Sequence, residues 1–334
     1  MMSSARLCLL FALGLCLAGC GVTQDMKNVK IQDNLTMARQ AATLGKTAEA
    51  RRWADRAIAV APNDVSVYAP DLSGYSAFST DPPEFVHDSV GEVFISAGDD
   101  ATAVAYLSEA ARKFGQSDRP LALLAQAQNR LGDTANARAS AKTLASLLEA
   151  RLARPGVLPS AGLLGELAQA YFDSGDPAKG AATYERVIAT YPFSPQTNDA
   201  RNGLAYSWAV AGDTAHLAQA LTLSLQALKA AQSLAKQGRM TDAEVAAVQD
   251  TVGWVQFRQG NYSEALLNLH EAMNGDPREA ENRYHLGMTY QKLGQTEAAR
   301  AELSRAVLLS PGYAEAAAAL AALPSAPAAP AAGA

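Results

Sequence analysis

The sequence predicts an all-α chain built as a solenoid of about seven helix–turn–helix repeats, and three observations predict it. Small residues and prolines recur at an interval of 34: Gly253 and Gly287, Gly260 and Gly294, Ala265 and Ala299, Ala272 and Ala306, Pro277 and Pro311. A fixed period of that length marks an array of paired helices. A turn glycine then traces the repeat upstream through Gly45, Gly98, Gly132, Gly175, Gly212, Gly260 and Gly294. Finally, Pro62, Pro192, Pro277 and Pro311 stand where four of the second helices must stop, because proline cannot continue a helix.

The elements follow in order. Arg6 precedes an apolar run, Leu7–Leu17, which ends in Leu17-Ala18-Gly19-Cys20. A positive residue, a short apolar segment and small residues describe a secretory signal, too short to span a membrane as a mature helix. The Leu-Ala-Gly-Cys ending resembles the lipobox of bacterial lipoproteins. That resemblance implies that residues 1–19 are removed and that Cys20 becomes the acylated first residue. Cys8 and Cys16 leave with the signal, so no intramolecular disulfide is expected. Two or more acyl chains anchor durably, at about 0.8 kcal/mol per buried methylene. Gly21, where an aspartate would favour retention, implies by the same resemblance an outer-membrane destination facing the periplasm. Residues 20–30 read as a polar tether.

The array is predicted over 31–313, with repeats at about 31–64, 84–117, 118–151, 161–194, 198–235, 246–279 and 280–313. Glycine at the end of a first helix accepts the left-handed backbone that a helix C-terminus prefers. Ala50, Ala103, Ala137, Gly180, Ala265 and Ala299 lie early in the second helices, where a larger side chain would force the pair apart. Tyr184, Leu107 and Leu303, one turn on, fill the space between neighbours. The second-helix positions of 198–235 match poorly. An irregular insertion at 65–83 carries Tyr68, Tyr75 and Phe78; it is either functional or a cover for the first repeat. Residues 314–323 have high helix propensity and are expected to cap the array. Residues 324–334, rich in proline and alanine, are expected to stay outside any core.

The period, the small residues and the helix-ending prolines resemble tetratricopeptide (TPR) repeats, over nearly the whole chain after the signal. The resemblance implies a right-handed superhelix whose concave face is lined by the first helix of each repeat. Projected onto that pattern, the inner wall takes Arg119, Gln126, Asn129 and Arg130, then Asn202 and Tyr206, then Asp250, Trp254, Phe257 and Arg258, then Tyr284, Met288 and Lys292. Asp250, Trp254 and Arg258 are successive turns of one helix face. Arginine and aromatic side chains dominate binding hot spots, so these are the candidate partner-binding residues. The competing reading packs Trp254 and Phe257 against the adjacent repeat. Positions that would form a clamp for a chaperone's C-terminal carboxylate hold Leu35, Asp88 and Ala122, so an extended or helical peptide is the expected ligand.

Other classes find little support. The chain has 28 basic and 33 acidic residues without a basic run, so a nucleic-acid partner is not expected. His87, His216, His270 and His285 form no ligand motif, although His270 and His285 fall on neighbouring helices and could approach. There is no nucleophile elbow, Walker loop or dinucleotide fingerprint. Neither an enzyme nor a cofactor is expected. Asp250-Thr-Val-Gly-Trp254 followed by Arg283-Tyr-His-Leu286 is similar to TPR lipoproteins of exopolysaccharide-export and Tad-pilus loci. The sequence thus points to a lipid-anchored envelope scaffold that binds protein or peptide partners. The alternative is a holdase-like periplasmic carrier of exported polypeptides.

Overall fold

In the computed structural model, the described residues are 27, 29–60, 85–115 and 117–324. Cys20, the insertion at 65–83 and nearly all of the 324–334 tail lie outside them. Every regular element among the described residues is helical. The chain divides into two compact units, Met1–Ala127 and Gln128–Ala334.

The first unit holds α1 (29–43), α2 (Thr47–Val60), α3 (Phe85–Ala97), α4 (Asp100–Lys113) and most of α5 (Asp118–Arg130). The second continues with α6 (Thr134–Leu152), α7 (Ala161–Ser174), α8 (Pro177–Thr190), α9 (Gln196–Ala211) and α10 (Leu217–Lys236). It closes with α11 (Asp242–Arg258), α12 (Tyr262–Gly275), α13 (Ala280–Lys292), α14 (Thr296–Leu309) and α15 (Ala314–Ala321).

The hinge of a repeat is a two-residue device. All seven turn glycines have positive φ, between 70° and 89°. In three repeats the next residue is an aspartate that caps the second helix: Asp99 accepts from Thr102 N–H, Asp133 from Asn136 N–H and Asp176 from Lys179 N–H. There glycine ends one helix and aspartate starts the next, so the chain reverses with one donor of the second helix satisfied by the cap, whereas Asn261 and Gln295 make no such bond in the last two repeats. The fifth repeat departs from this pattern for a visible reason. Its Asp213 bonds His216 Nδ1 at 2.6 Å instead of capping, and α10 begins only at Leu217, without a side-chain cap. Leu217, buried, stands at the offset where Ala265 and Ala299 stand in the last two repeats, and its carbonyl accepts from Gln259.

Packing within a repeat follows a knob and a socket. Gly253 faces Leu269, and Gly287 faces Leu303. A Cβ on either glycine would lie 2.6 or 2.7 Å from the leucine Cγ. Both leucines are fully buried, each worth about 1.5–3 kcal/mol of apolar burial. In the first unit Gly91 receives Leu107 in the same way. Leu107, Phe94, Val90 and Ile31 centre the core of that unit. Leu164, Tyr184, Leu204, Trp208, Val255 and Leu269 run through the core of the second. After α14, Leu323 folds back onto Ala299 and Leu303, covering the end of the stack.

Candidate partner-binding site

In the second unit the first helices of three consecutive repeats, α9, α11 and α13, stand side by side. Each offers residues at four-residue spacing, which share a helix face. Asn202 and Tyr206 come from α9, Asp250 and Trp254 from α11, and Glu281 and His285 from α13.

The centre is His285, whose Nδ1 lies 2.7 Å from Asp250 Oδ2 with both side chains buried. Trp254 stacks on its imidazole, ring centroids 3.9 Å apart and planes 16° from parallel. Phe257 stacks on the same indole at 4.5 Å. Tyr206 donates its hydroxyl to Glu281 across the α9–α13 gap. Tyr284 meets Trp254 at 6.0 Å and Tyr313 at 5.1 Å, so the tyrosine just before α15 joins the cluster. Arg258 places its guanidinium 5.9 Å from the Trp254 ring and against Gly212.

The electrostatics are those of carboxylates taken from water. Burial pushes the Glu281 carboxyl above its usual range, helped by the negative charge of Asp250 and opposed by His285. Burial disfavours a charged His285, but the carboxylates of Asp250 and Glu281 outweigh it and raise its titration. Tyr206 and Tyr313 are held well above the ordinary phenol value, first by burial and then by Glu281. Three buried polar atoms here have no hydrogen-bond partner: Asp250 Oδ1, Asn202 Oδ1 and Trp254 Nε1. Such atoms cost free energy unless something completes them.

Of the residues nominated from sequence, Tyr206, Asp250, Trp254, Phe257, Arg258 and Tyr284 come together, and Asn202 stands one turn before Tyr206 on α9. Trp254 and Phe257 are only 5% and 9% exposed, so the packing reading describes them in the free chain. Their reachable neighbours are Asn202, Tyr206, Tyr284 and Arg258, each partly exposed. Arg130 pairs with Glu279 at 3.4 Å, just ahead of α13. Asn129 and Lys292 are exposed and take no part in the contacts above. Arg119 belongs to the first unit, where it pairs with Glu92 and lies 3.7 Å from Asp88. His270 and His285 have separate partners, His270 bonding the Tyr290 hydroxyl at 2.6 Å. No group of three potential metal ligands occurs among the described residues.

Sequence reasoning missed Glu281, His285 and Tyr313 as members of the site. Nothing in the local pattern sets Glu281 apart from a solvated helix carboxylate, and Tyr313 is the last residue of the final repeat, just ahead of the expected cap at 314–323. The one available signal was the four-residue step from Glu281 to His285.

Residues 166–227 and 256–323 each match a family model described as tetratricopeptide repeat. No curated protein matches the chain. Among solved structures it is similar to a tetratricopeptide repeat protein from Parabacteroides merdae, at 12% identity and TM-score 0.49, covering 87% of this chain and 98% of that one. A TPR protein of Thermus thermophilus is 19% identical at TM-score 0.45, over 58% of this chain and 98% of its own. Human IFIT1, solved as a dimer with PPP-AAAA, is 14% identical at TM-score 0.48; the match covers 81% of this chain and 58% of IFIT1. All three scores lie below one half, so the assignment rests on the repeat models and the helix-pair geometry. The chain carries tetratricopeptide repeats, and its fold, all-helical among the described residues, is that of a helical repeat solenoid.

Proposed function

We propose that this chain is a non-catalytic, lipid-anchored scaffold of a bacterial envelope assembly, such as a polysaccharide exporter or a pilus secretion machine. Its inner wall at α9, α11 and α13 holds a protein or peptide partner. The observation that carries the binding role is the alignment of three first helices into one face of tyrosines, carboxylates and an arginine. Repeat solenoids use faces of this kind to grip extended ligands. The anchor is supported by Leu17-Ala18-Gly19-Cys20, and an outer-membrane destination by Gly21. No helix among the described residues is long and apolar enough to cross a membrane; attachment is assigned to the lipid on the strength of the lipobox-like ending alone. Nucleic acid is not a proposed partner, since the basic and acidic residues are nearly balanced.

Crosslinking in intact cells, affinity purification and mass spectrometry test the scaffold role. Arg258→Glu alters the inner face without opening the core, and Glu271→Arg on α12 serves as the control. A dominant envelope partner lost only in Arg258→Glu supports the reading. A diffuse set of exported polypeptides, insensitive to both changes, would favour the holdase-like carrier. Cys20→Ser is expected to release the folded chain from membranes, and continued membrane partitioning would remove the anchor.

A further inference from the structure

Among the described residues, neither Asp250 nor Glu281 forms an ion pair with a lysine or arginine. Asp250 has His285 on one oxygen and nothing on the other. Glu281 has the Tyr206 hydroxyl. Glu315 adds a third acidic group, close enough to act on both Tyr284 and Tyr313. The cations at hand are occupied or off to one side. Arg130 holds Glu279, His285 is shared by the two carboxylates, and Arg258 lies over Trp254 toward Gly212, close enough to act on Tyr284 and leaving the three acids short of one positive charge. Around these acids stand four aromatic rings, those of Tyr206, Trp254, Tyr284 and Tyr313. Glu281 and the three tyrosines are partly exposed, whereas Asp250 and Trp254 form a buried floor.

Aromatic faces attract cations through their quadrupoles, and buried carboxylates lacking a full counter-charge do so more strongly. We propose that this cluster is a receptor for a basic side chain: a lysine or arginine of the partner enters between Tyr206, Tyr284 and Tyr313 and pairs with Glu281. Asp250, beneath, supplies the second negative charge. The incoming donor competes with the Tyr206 hydroxyl for Glu281, so recognition selects positive over negative or apolar anchors. The inference rests on the inner-wall reading above and narrows its partner to a polypeptide presenting a basic residue.

The probes are fluorescein-labelled glycine–serine nonapeptides carrying three lysines, three arginines or three glutamates, followed by fluorescence anisotropy with the Cys20→Ser full chain. The basic peptides are expected to bind, with affinity falling as salt rises, while the glutamate peptide does not. Glu281→Gln, nearly isosteric, is expected to weaken the basic peptides at least tenfold with an unchanged thermal midpoint. Tyr206→Phe removes the competing hydroxyl and is expected to tighten them, which keeps the test decisive if Glu281→Gln unfolds. Equal binding of the glutamate peptide, no binding of the basic ones, or indifference to both substitutions overturns the inference. A crosslinked partner captured equally by wild type and Glu281→Gln would do so too, while leaving the scaffold role standing. Basic-peptide binding with no cellular partner would separate the two in the other direction.

Discussion

Gly132 and Gly312 meet backbone to backbone in the second unit. A methyl group on Gly312 would overlap the carbonyl of Leu131, and one on Gly132 would overlap the carbonyl of Gly312. Beside them Ser310 donates to the Arg130 carbonyl at 2.7 Å, across 180 residues of sequence. The turn between α5 and α6 is thereby clasped to the turn between α14 and α15. Gly312→Ala is expected to lower stability by about 1–3 kcal/mol through this overlap. Gly165→Ala, on α7 with open space around its Cβ, is expected to raise it by about 0.5–1 kcal/mol. Thermal or urea denaturation of the two variants side by side gives the comparison.

The socket between Gly287 and Leu303 predicts a non-additive pair. Leu303→Ala is expected to cost about 2–5 kcal/mol, as buried leucine truncations do. Gly287→Ala drives a methyl toward the leucine Cγ at 2.7 Å and should cost about 1–3 kcal/mol. In the double variant the new methyl occupies part of the vacated volume. Its destabilisation should therefore fall short of the sum by more than the roughly 0.5 kcal/mol scatter of independent sites. Strict additivity in a denaturant cycle would show that the two residues do not share the space.

Glu302 separates a buried from an exposed ion pair. Its carboxylate accepts from Arg283 and from Arg305, each at 2.6 Å, but Arg283 is 12% exposed and Arg305 57%. Glu302→Ala leaves the Arg283 guanidinium with only the Pro277 carbonyl and no counter-charge, and is expected to cost about 3 kcal/mol. Arg305→Ala removes a solvated partner and should cost less than about 1 kcal/mol. Comparable losses in the two variants, measured at low salt, would contradict this assignment.

Two histidines are expected to give opposite pH dependence. In the first unit, burial and then Lys113, opposed by Glu109, lower His87 to about 4. A folded value below the unfolded one of about 6.5 means its contribution is complete above 6.5 and is lost as pH falls toward 4. His285 is raised by Asp250 and Glu281, so its contribution is complete below the unfolded value and is lost as pH rises through the folded one. His87→Phe, which keeps a ring against Phe114, should flatten the acid-side fall in thermal midpoint. His285→Gln should remove the loss on the neutral-to-alkaline side. Identical pH profiles for wild type and both variants would reject the two assignments.

What could be read from sequence alone was whatever is repeated locally. The 34-residue interval, the glycine that ends each first helix and the alanines facing it are demands of a single helix pair, restated along the chain. They are therefore visible without knowing how the pairs stack. The common face of Asp250, Trp254 and Arg258 was legible for the same reason, since helical spacing sets it within one element. Only the tertiary structure decided that Asp250 meets His285, that Tyr206 reaches Glu281, and that Trp254 turns inward onto an imidazole. Those contacts join different repeats, and their geometry depends on the rotation from each pair to the next, which no local period encodes. The Gly132–Gly312 contact lies furthest beyond sequence reading: it exists only because the small rotations of successive repeats add up until two distant turns touch.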